Sequence, residues 1–288
     1  MAEQFLLLNG KEVADSMKAT LRQRVEAFFK IHQRKPELHV ILVGQDPASQ
    51  IYVSHKEKAC QEVGILSEVW RFSENVQFLD LKNHVEKLVD NPNVDGILVQ
   101  MPLPQHVDAQ ALLSLIPKSK DVDGFSEAAM GSLVLNRPQA VACTPAGVME
   151  ILKYYKISIE GINAVVIGRS QIVGRPMALL LINAGATVTV CHSKTVNLAN
   201  HLKQADLVVV AAGQPQFLKT SDFKKGAIVI DVGIHRNSQG KVIGDVDLSG
   251  KETHLKAATP VPGGVGPMTI ALLLQNTIKL AEFRQEKK

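Results

Sequence analysis

The stretch from Ile162 to Leu181, INAVVIGRSQIVGRPMALLL, constrains this chain more than any other. An apolar run, Ala164 to Ile167, stops at Gly168. Arg169, Ser170 and Gln171 follow, then Ile172, Val173 and Gly174, and a second apolar run begins. The pattern reads as strand, tight turn, helix. Such a turn gathers backbone N–H groups and the positive end of a helix dipole at one point, where a phosphate is stabilised.

Against the dinucleotide fingerprint G-x-G-x-x-G, Gly168 takes the first position, Ser170 stands in for the second glycine, and Gly174 arrives one residue late. A plain βα turn with two glycines accounts for the motif about as well. The following segment favours the nucleotide. Ala186 to Val190 reads as a buried strand ending in Cys191-His192-Ser193-Lys194, with no Asp or Glu where one would hold a ribose 2′-hydroxyl. Arg169, Ser193 and Lys194 offer donors and positive charge, which suit a 2′-phosphate, so NADP is expected over NAD.

A chain of 288 residues is long enough for two ordinary domains. Hydrophobic residues at 45% and charged residues at 21% mark a globular rather than a disordered composition. The net charge of +4 is dispersed without a basic run, so no nucleic-acid partner is expected. No stretch reads as a membrane span, and Phe5 to Leu8 is too short for a signal peptide. Cys60, Cys143 and Cys191 give neither a disulfide framework nor a zinc motif, so a reducing, cytoplasmic setting is expected. His192, His201, His235 and His254 lack metal-ligand spacing, and no metal is expected.

Before the nucleotide motif, Asn9 and Gly10 read as a turn and Val13 to Phe29 as an amphipathic helix. His39 to Val43 reads as a buried strand. Asp46-Pro47 then starts a helix that Gly64 stops. Tyr52, Lys56, Ala59, Cys60 and Val63 share one face of it. A lysine in an apolar stripe commonly snorkels to water, but this helix follows a strand directly, and ligands of open α/β sheets gather beyond the carboxyl ends of strands. A second strand, Val94 to Val99, ends at Gln100. Either Gln100 is a plain polar terminus, or the turn Met101-Pro102-Leu103-Pro104 fixes its amide so that it lines a site with Lys56. Asp121 and Asp123 sit in a polar loop whose acids are ordinarily solvated or bonded to their own backbone.

Val141 to Pro145 reads as a crossing between domains, with Thr144 capping a helix from Ala146 to Tyr155 and Cys143 as a packing residue. Asp206 to Val210 and Ala227 to Ile230 are further core strands, and the alternation with helices predicts a parallel, doubly wound sheet. Thr259 to Pro267 is stiffened by prolines and freed by glycines, which suits a hinge or a cofactor lid. A helix from Met268 to Phe283 then returns to the first domain.

Taken together, Pro47-Ala48-Ser49 with Tyr52 and Lys56, Gln100-Met101-Pro102-Leu103-Pro104, Lys120-Asp121-Val122-Asp123-Gly124-Phe125, Cys143-Thr144-Pro145, Gly168-Arg169-Ser170 with Ile172-Val173-Gly174, Cys191-His192-Ser193, Asp231-Val232-Gly233, Gly244-Asp245-Val246-Asp247 and Pro260 to Thr269 form a specific ordered set. In them the chain resembles the bifunctional methylenetetrahydrofolate dehydrogenase/cyclohydrolase family (FolD-type) over nearly its whole length. It departs at Met101, where leucine is usual, and at Ala142, where proline is usual.

The resemblance implies α/β architecture, with two α/β domains flanking a cleft, the second a Rossmann-like doubly wound parallel sheet. It implies a folate-binding catalytic domain over 1–141 and 268–288 and an NADP-binding domain over 142–267. It implies oxidation of 5,10-methylenetetrahydrofolate with NADP and hydrolysis of the methenyl product to 10-formyltetrahydrofolate, in one-carbon metabolism and purine biosynthesis. Lys56, Gln100 and Asp123 are the expected catalytic residues, and Tyr52, Gln100, Asp123, Pro262 and Gly263 the expected folate contacts. Gly168, Arg169, Ser170, Val173, Gly174, Ser193, Gly213, Val232, Gly233, Ile234 and Thr269 are the expected cofactor contacts. The expected partners are tetrahydrofolate one-carbon derivatives and a second copy of the chain in a homodimer. An NADP-dependent dehydrogenase of another small substrate, a silent nucleotide-binding protein, and a dehydrogenase without useful cyclohydrolase activity are the alternatives.

Overall fold

A computed structural model describes residues 4–286. In chain order, the elements that position the site are β1 (Leu6–Leu7), α1 (Gly10–His32), β2 (Glu37–Val43), α2 (Pro47–Val63), β3 (Leu66–Phe72), α3 (Phe78–Asp90) and β4 (Gly96–Val99). After them come α4 (Cys143–Tyr154), β5 (Asn163–Ile167), α5 (Gly174–Asn183), β6 (Thr187–Cys191), β7 (Leu207–Val210), β8 (Ile228–Asp231), β9 (Ala257–Ala258) and α6 (Val265–Glu286).

The chain forms two compact units. One runs from Asp15 to Ala142 and resumes at Ile270; the other holds the described residues up to Ala14 together with Cys143–Thr269. The expected division assigned the N-terminal residues to the first of these. They group with the second because β1 pairs in parallel with β9, Leu6 opposite Ala257 and Leu7 opposite Ala258. A two-residue strand has no pattern of its own, so only its pairing reveals where it belongs.

In the Asp15–Ala142 unit, β3, β2 and β4 lie side by side, all parallel, with β2 in the middle. Val40, Ile41, Leu42 and Val43 are buried on β2, as are Ile97, Leu98 and Val99 on β4. Such near-continuous apolar runs are what strands covered on both faces require. Helix α2 begins where the sequence indicates: the Asp46 carboxylate accepts the Ser49 N–H at 2.7 Å, and Pro47 fills the first turn. It ends at Gly64, whose φ of 89° carries the left-handed cap. The C-terminal helix α6 ties down the loop beside β4, because Asn276 donates to the carbonyls of Val122 (2.8 Å) and Val141 (2.9 Å).

In the other unit, six parallel strands run in the order β1-β9-β8-β7-β5-β6. After β5 the chain steps outward to β6, returns to the other flank of β5 as β7, and continues away through β8 and β9. The reversal puts a topological switch point at the carboxyl ends of β5 and β7, where ligands of open α/β sheets bind. Strand β6 corrects one expectation: it is an edge strand, partly exposed along its length, with Val190 39% accessible, rather than buried. Helix α4 begins at Cys143, three residues before the expected start, so Thr144 lies inside its first turn instead of capping it. Gly10 is the first residue of α1 rather than part of a turn; the Asn9 Oδ1 accepts from the Lys11 and Glu12 amides and caps the helix.

Replacing Asn276 by Ala removes its donors from the Val122 and Val141 carbonyls beside the loop that carries Asp123. Urea unfolding is expected to register a loss of about 2–4 kcal/mol. A loss below about 0.5 kcal/mol would mean that those carbonyls have other donors.

Candidate active site

In the Asp15–Ala142 unit, the carboxyl ends of β2 and β4 present the residues that the sequence singled out. Lys56 lies in the third turn of α2, one turn beyond Tyr52. Ala59, Cys60 and Val63 on the same helix are buried, Lys56 is half-buried, and Tyr52 is exposed at 41%. The Lys56 Nζ donates to Gln100 Oε1 at 2.9 Å. Gln100 in turn donates its amide N–H to the Met101 carbonyl at 2.8 Å. The second bond fixes the first: with the amide nitrogen committed to a carbonyl, only the amide oxygen can face the lysine. Gln100 is therefore held from its own backbone turn, and Lys56 is held by Gln100.

Asp123 is half-buried and belongs to a loop that two buried residues lock in place. Ile97 on β4 pairs with Asp121 across an isolated parallel bridge, so the loop runs beside the strand that ends at Gln100. The Asp121 carboxylate accepts the amides of Gly124 (2.8 Å) and Ser126 (2.7 Å). Lys120, only 4% exposed, donates to the carbonyls of Leu88, Val89 and Asn91 and so caps the C-terminal end of α3. Burial, reinforced by Arg284, pushes its ammonium down to about 8. Sequence reasoning grouped Lys120 and Asp121 with Asp123 but assigned them nothing; here they brace it.

In the second unit, Gly168 ends β5 with φ of 117°, and a Cβ placed there would fall on the Ala211 carbonyl oxygen at the end of β7. A Cβ on Gly174 would meet the Gly168 carbonyl. Both glycines are thus required by close backbone approach at the switch point. The Ser170 Oγ accepts from the amides of Val173 (3.1 Å) and Gly174 (3.3 Å), so two amides at the start of α5 are already engaged. The Gly168 amide donates to the Cys191 carbonyl, which joins the turn to the end of β6. Arg169 and Ser193 are both exposed there, and no acid stands between Cys191 and Thr195. That donor set fits a phosphorylated ribose.

Farther along the carboxyl ends, Gly213 is exposed, Val232 half-buried, Gly233 buried and Ile234 exposed at 49%. Pro262 and Gly263 follow β9 in this unit, and the Gly263 carbonyl accepts the Lys11 amide at 3.0 Å. Thr269, in the second turn of α6, donates its hydroxyl to Gly266 O. Asp231 and Asp245, which no expectation named as site residues, are buried beneath these loops at 2% and 0% exposure. The signal was present in AIVIDVG: an acid ending a fully apolar strand has no place in the core unless it accepts several hydrogen bonds. Elsewhere, Glu37, His39 and Glu68 hold ligand atoms within 4.8 Å of one another, but the His39 Nδ1 accepts from the Trp70 indole and its Nε2 faces Glu37, so the imidazole is engaged on both sides. The three cysteines are buried and form no disulfide among the described residues.

Residues 8–123 match the family model described as the tetrahydrofolate dehydrogenase/cyclohydrolase catalytic domain, and residues 142–285 the one described as its NAD(P)-binding domain. The chain is 52% identical to the bifunctional protein FolD of Bdellovibrio bacteriovorus over 280 residues, covering 97% of each chain. Among solved structures it is similar to the bifunctional methylenetetrahydrofolate dehydrogenase/cyclohydrolase FolD of Campylobacter jejuni, with a TM-score of 0.95, 48% identity, and 97% of this chain and 99% of that one covered. It is also similar to the Trypanosoma brucei enzyme solved with NADP cofactor and an inhibitor, with a TM-score of 0.92, 36% identity, and coverage of 97% and 98%.

Burial lifts the Asp231 carboxyl from its usual 3.8 to about 6; neighbouring Asp245 adds to this, and the amides of Asp245, Val246 and Gly233 oppose it. Because the folded value is the higher one, the native state keeps a proton that the unfolded chain has already released between about 6 and 3.8. The stability owed to this group is therefore present at low pH and falls as pH rises through that window. The carboxyl carbon resonance of Asp231 is expected to titrate with a midpoint near 6. A midpoint in the ordinary range near 4 would remove the claim.

Proposed function

This chain belongs to the tetrahydrofolate dehydrogenase/cyclohydrolase family, and from that footing we propose that it oxidises 5,10-methylenetetrahydrofolate with NADP and hydrolyses the resulting methenyl cation to 10-formyltetrahydrofolate. The observation that carries the reading is the hydrogen bond between Lys56 and an orientation-fixed Gln100 at the carboxyl ends of two parallel strands.

The hydrolytic step needs a base. Water adds to the methenyl carbon and gives one proton to Lys56 Nζ; the hydroxyl so formed then gives up its proton as the C=O forms, the bond from that carbon to N5 breaks, and N5 takes up one proton, which leaves the formyl group on N10 and one proton released overall. A lysine can accept that proton only through the free lone pair of its amine nitrogen. Gln100 serves as the acceptor that keeps Nζ aimed. Asp123 takes the donor edge of the pterin, a pairing that a carboxylate suits because the edge presents adjacent N–H groups. Tyr52 lies along the aminobenzoate, and its exposure leaves a ring face available for stacking. Pro262 and Gly263 complete the folate contacts.

NADP, when bound, supplies the hydride acceptor. The chain's own task there is binding and orientation. The Gly168 to Gly174 turn carries the pyrophosphate, with Ser170 and Val173 shaping it, and Arg169 and Ser193 hold the 2′-phosphate. Gly213, Val232, Gly233, Ile234 and Thr269 border the nicotinamide half. Among the described residues no helix is long and apolar enough to cross a membrane. We read the protein as a cytoplasmic homodimer, and its 10-formyl product as a formyl donor for purine biosynthesis.

Two substitutions test the halves of this reading separately. Lys56→Ala is expected to abolish hydrolysis of the methenyl compound while leaving the dehydrogenase within about 10-fold of wild type. A variant with full hydrolysis would take Lys56 out of the role. Arg169→Ala is expected to raise KM for NADP by about 10-fold and to leave KM for NAD little changed. Equal losses with both cofactors would remove Arg169 from the 2′-phosphate.

A further inference from the structure

Beneath the loops that follow β7, β8 and β9 lie two carboxylates that accept hydrogen bonds from donors only. Asp231 takes the amides of Gly233 (2.9 Å) and Asp245 (3.0 Å) on one oxygen and of Val246 (2.9 Å) on the other. Asp245 takes the amides of Ala212 (2.7 Å) and Gly213 (3.0 Å) on one oxygen and His235 Nε2 (2.7 Å) on the other. The two glycines of Asp231-Val232-Gly233 and Gly244-Asp245 make room for them: a Cβ on Gly233 would fall on the Asp245 carboxylate, and one on Gly244 would fall on that of Asp231. The Thr259 hydroxyl, itself fully buried, accepts the Asp231 amide and joins the start of the next loop to the same knot.

Position gives this knot its meaning. The turn after β5 and the end of β6 hold the phosphates and the phosphorylated ribose in the reading above, and a dinucleotide laid across a switch point continues over the neighbouring strand ends. In this sheet those are β7 and then β8. In that reading the far half of the cofactor meets the backbone at 212–213 and 232–234, and the two carboxylates hold the amides of Ala212, Gly213 and Gly233 within it.

We propose that Asp231 and Asp245, with His235 bracing Asp245 from the surface side, are positioning residues that set the nicotinamide half of the cofactor site without touching the cofactor. The proposal rests on the NADP reading of this unit. Asp231 cannot be replaced by its amide without loss, because its three partners are backbone amides and an NH2 group would face one of them, whereas His235 Nε2 can accept from an amide at Asp245, so the informative change there is truncation. The pair orients the hydride acceptor and contributes nothing to the grip on the adenosine half.

The experiment uses the full-length Asp245→Ala protein, which removes the acceptor from the Ala212 and Gly213 amides, and three readouts. Binding of 2′,5′-ADP, which carries the phosphorylated ribose and lacks the nicotinamide, is expected to stay within about 2-fold of wild type. The kcat for hydride transfer at saturating NADP is expected to fall about 10-fold or more. Amide hydrogen exchange at Ala212 and Gly213 is expected to quicken, while that of β5 holds. If wild type itself fails to bind 2′,5′-ADP, the cofactor reading fails and takes the proposal with it. If wild type binds and the variant loses the adenosine half together with hydride transfer, the carboxylates are a general prop of the unit and the proposal is overturned, as it also is if kcat does not change. Should Asp245→Ala not fold, His235→Leu removes the surface-side partner of Asp245, and the same split between kcat and 2′,5′-ADP binding, at about 3-fold, decides the matter.

Discussion

A parallel sheet stops abruptly at its carboxyl edge, and the loops that leave it carry backbone amides that no ladder satisfies. Buried amides of this kind must find acceptors. In both units of this protein, aspartates set into the core supply them: Asp121 for Gly124 and Ser126, Asp231 for Gly233, Asp245 and Val246, and Asp245 for Ala212 and Gly213. A carboxylate can take several N–H groups at once, so one buried side chain fixes a whole turn. Within each unit the loops that carry candidate site residues are ordered because of these aspartates, and what is proposed about chemistry in each depends on that order.

The two tasks of the protein make different demands on such loops. A base that takes a proton from water has to sit within hydrogen-bond reach of it, and Lys56 stands on a capped helix with its Nζ held by a side chain that is itself fixed. A dinucleotide is gripped along its length instead, and its contacts fall on turns after several strands, where backbone can approach a ligand closely. Gly168 and Gly174 show what that approach requires, since either would collide with neighbouring backbone if it carried a Cβ. The helix serves a point and the loops serve a line.

Much of this was legible in the chain. The apolar runs of β2, β4, β5, β7 and β8, the Asp46-Pro47 start and Gly64 stop of α2, and the glycine turn after β5 each state a local physical preference strongly enough to be read directly. Strand β3 was missed because Leu66-Ser67-Glu68-Val69-Trp70-Arg71-Phe72 mixes charge with apolar residues, as an edge strand can, and edge status depends on distant pairing. The same reason made β6 look buried. Helix α3 was missed as well, although its buried Leu81, Val85 and Leu88 follow helical spacing. The pairing of Lys56 with Gln100 was expected from position alone, whereas the tie from Gln100 to the Met101 carbonyl is a matter of side-chain geometry that no spacing encodes.

The buried acids were the least legible part, and the reason is instructive. An Asp beside Gly is ordinarily a turn signal, solvated or bonded to its own backbone. Asp231 looks like that case if only Asp-Val-Gly is considered, and unlike it once the preceding Ala-Ile-Val-Ile is included, because a strand with no polar position ends inside the protein. Leaving a carboxylate there without partners would cost far more than a turn residue contributes. A chain that keeps an acid at such a place must therefore deliver donors to it from elsewhere, and the only donors that arrive in number at the edge of a parallel sheet are the amides of the loops themselves. The acids and the loops determine one another, which is why a surface that can hold a ligand appears at this edge of the sheet.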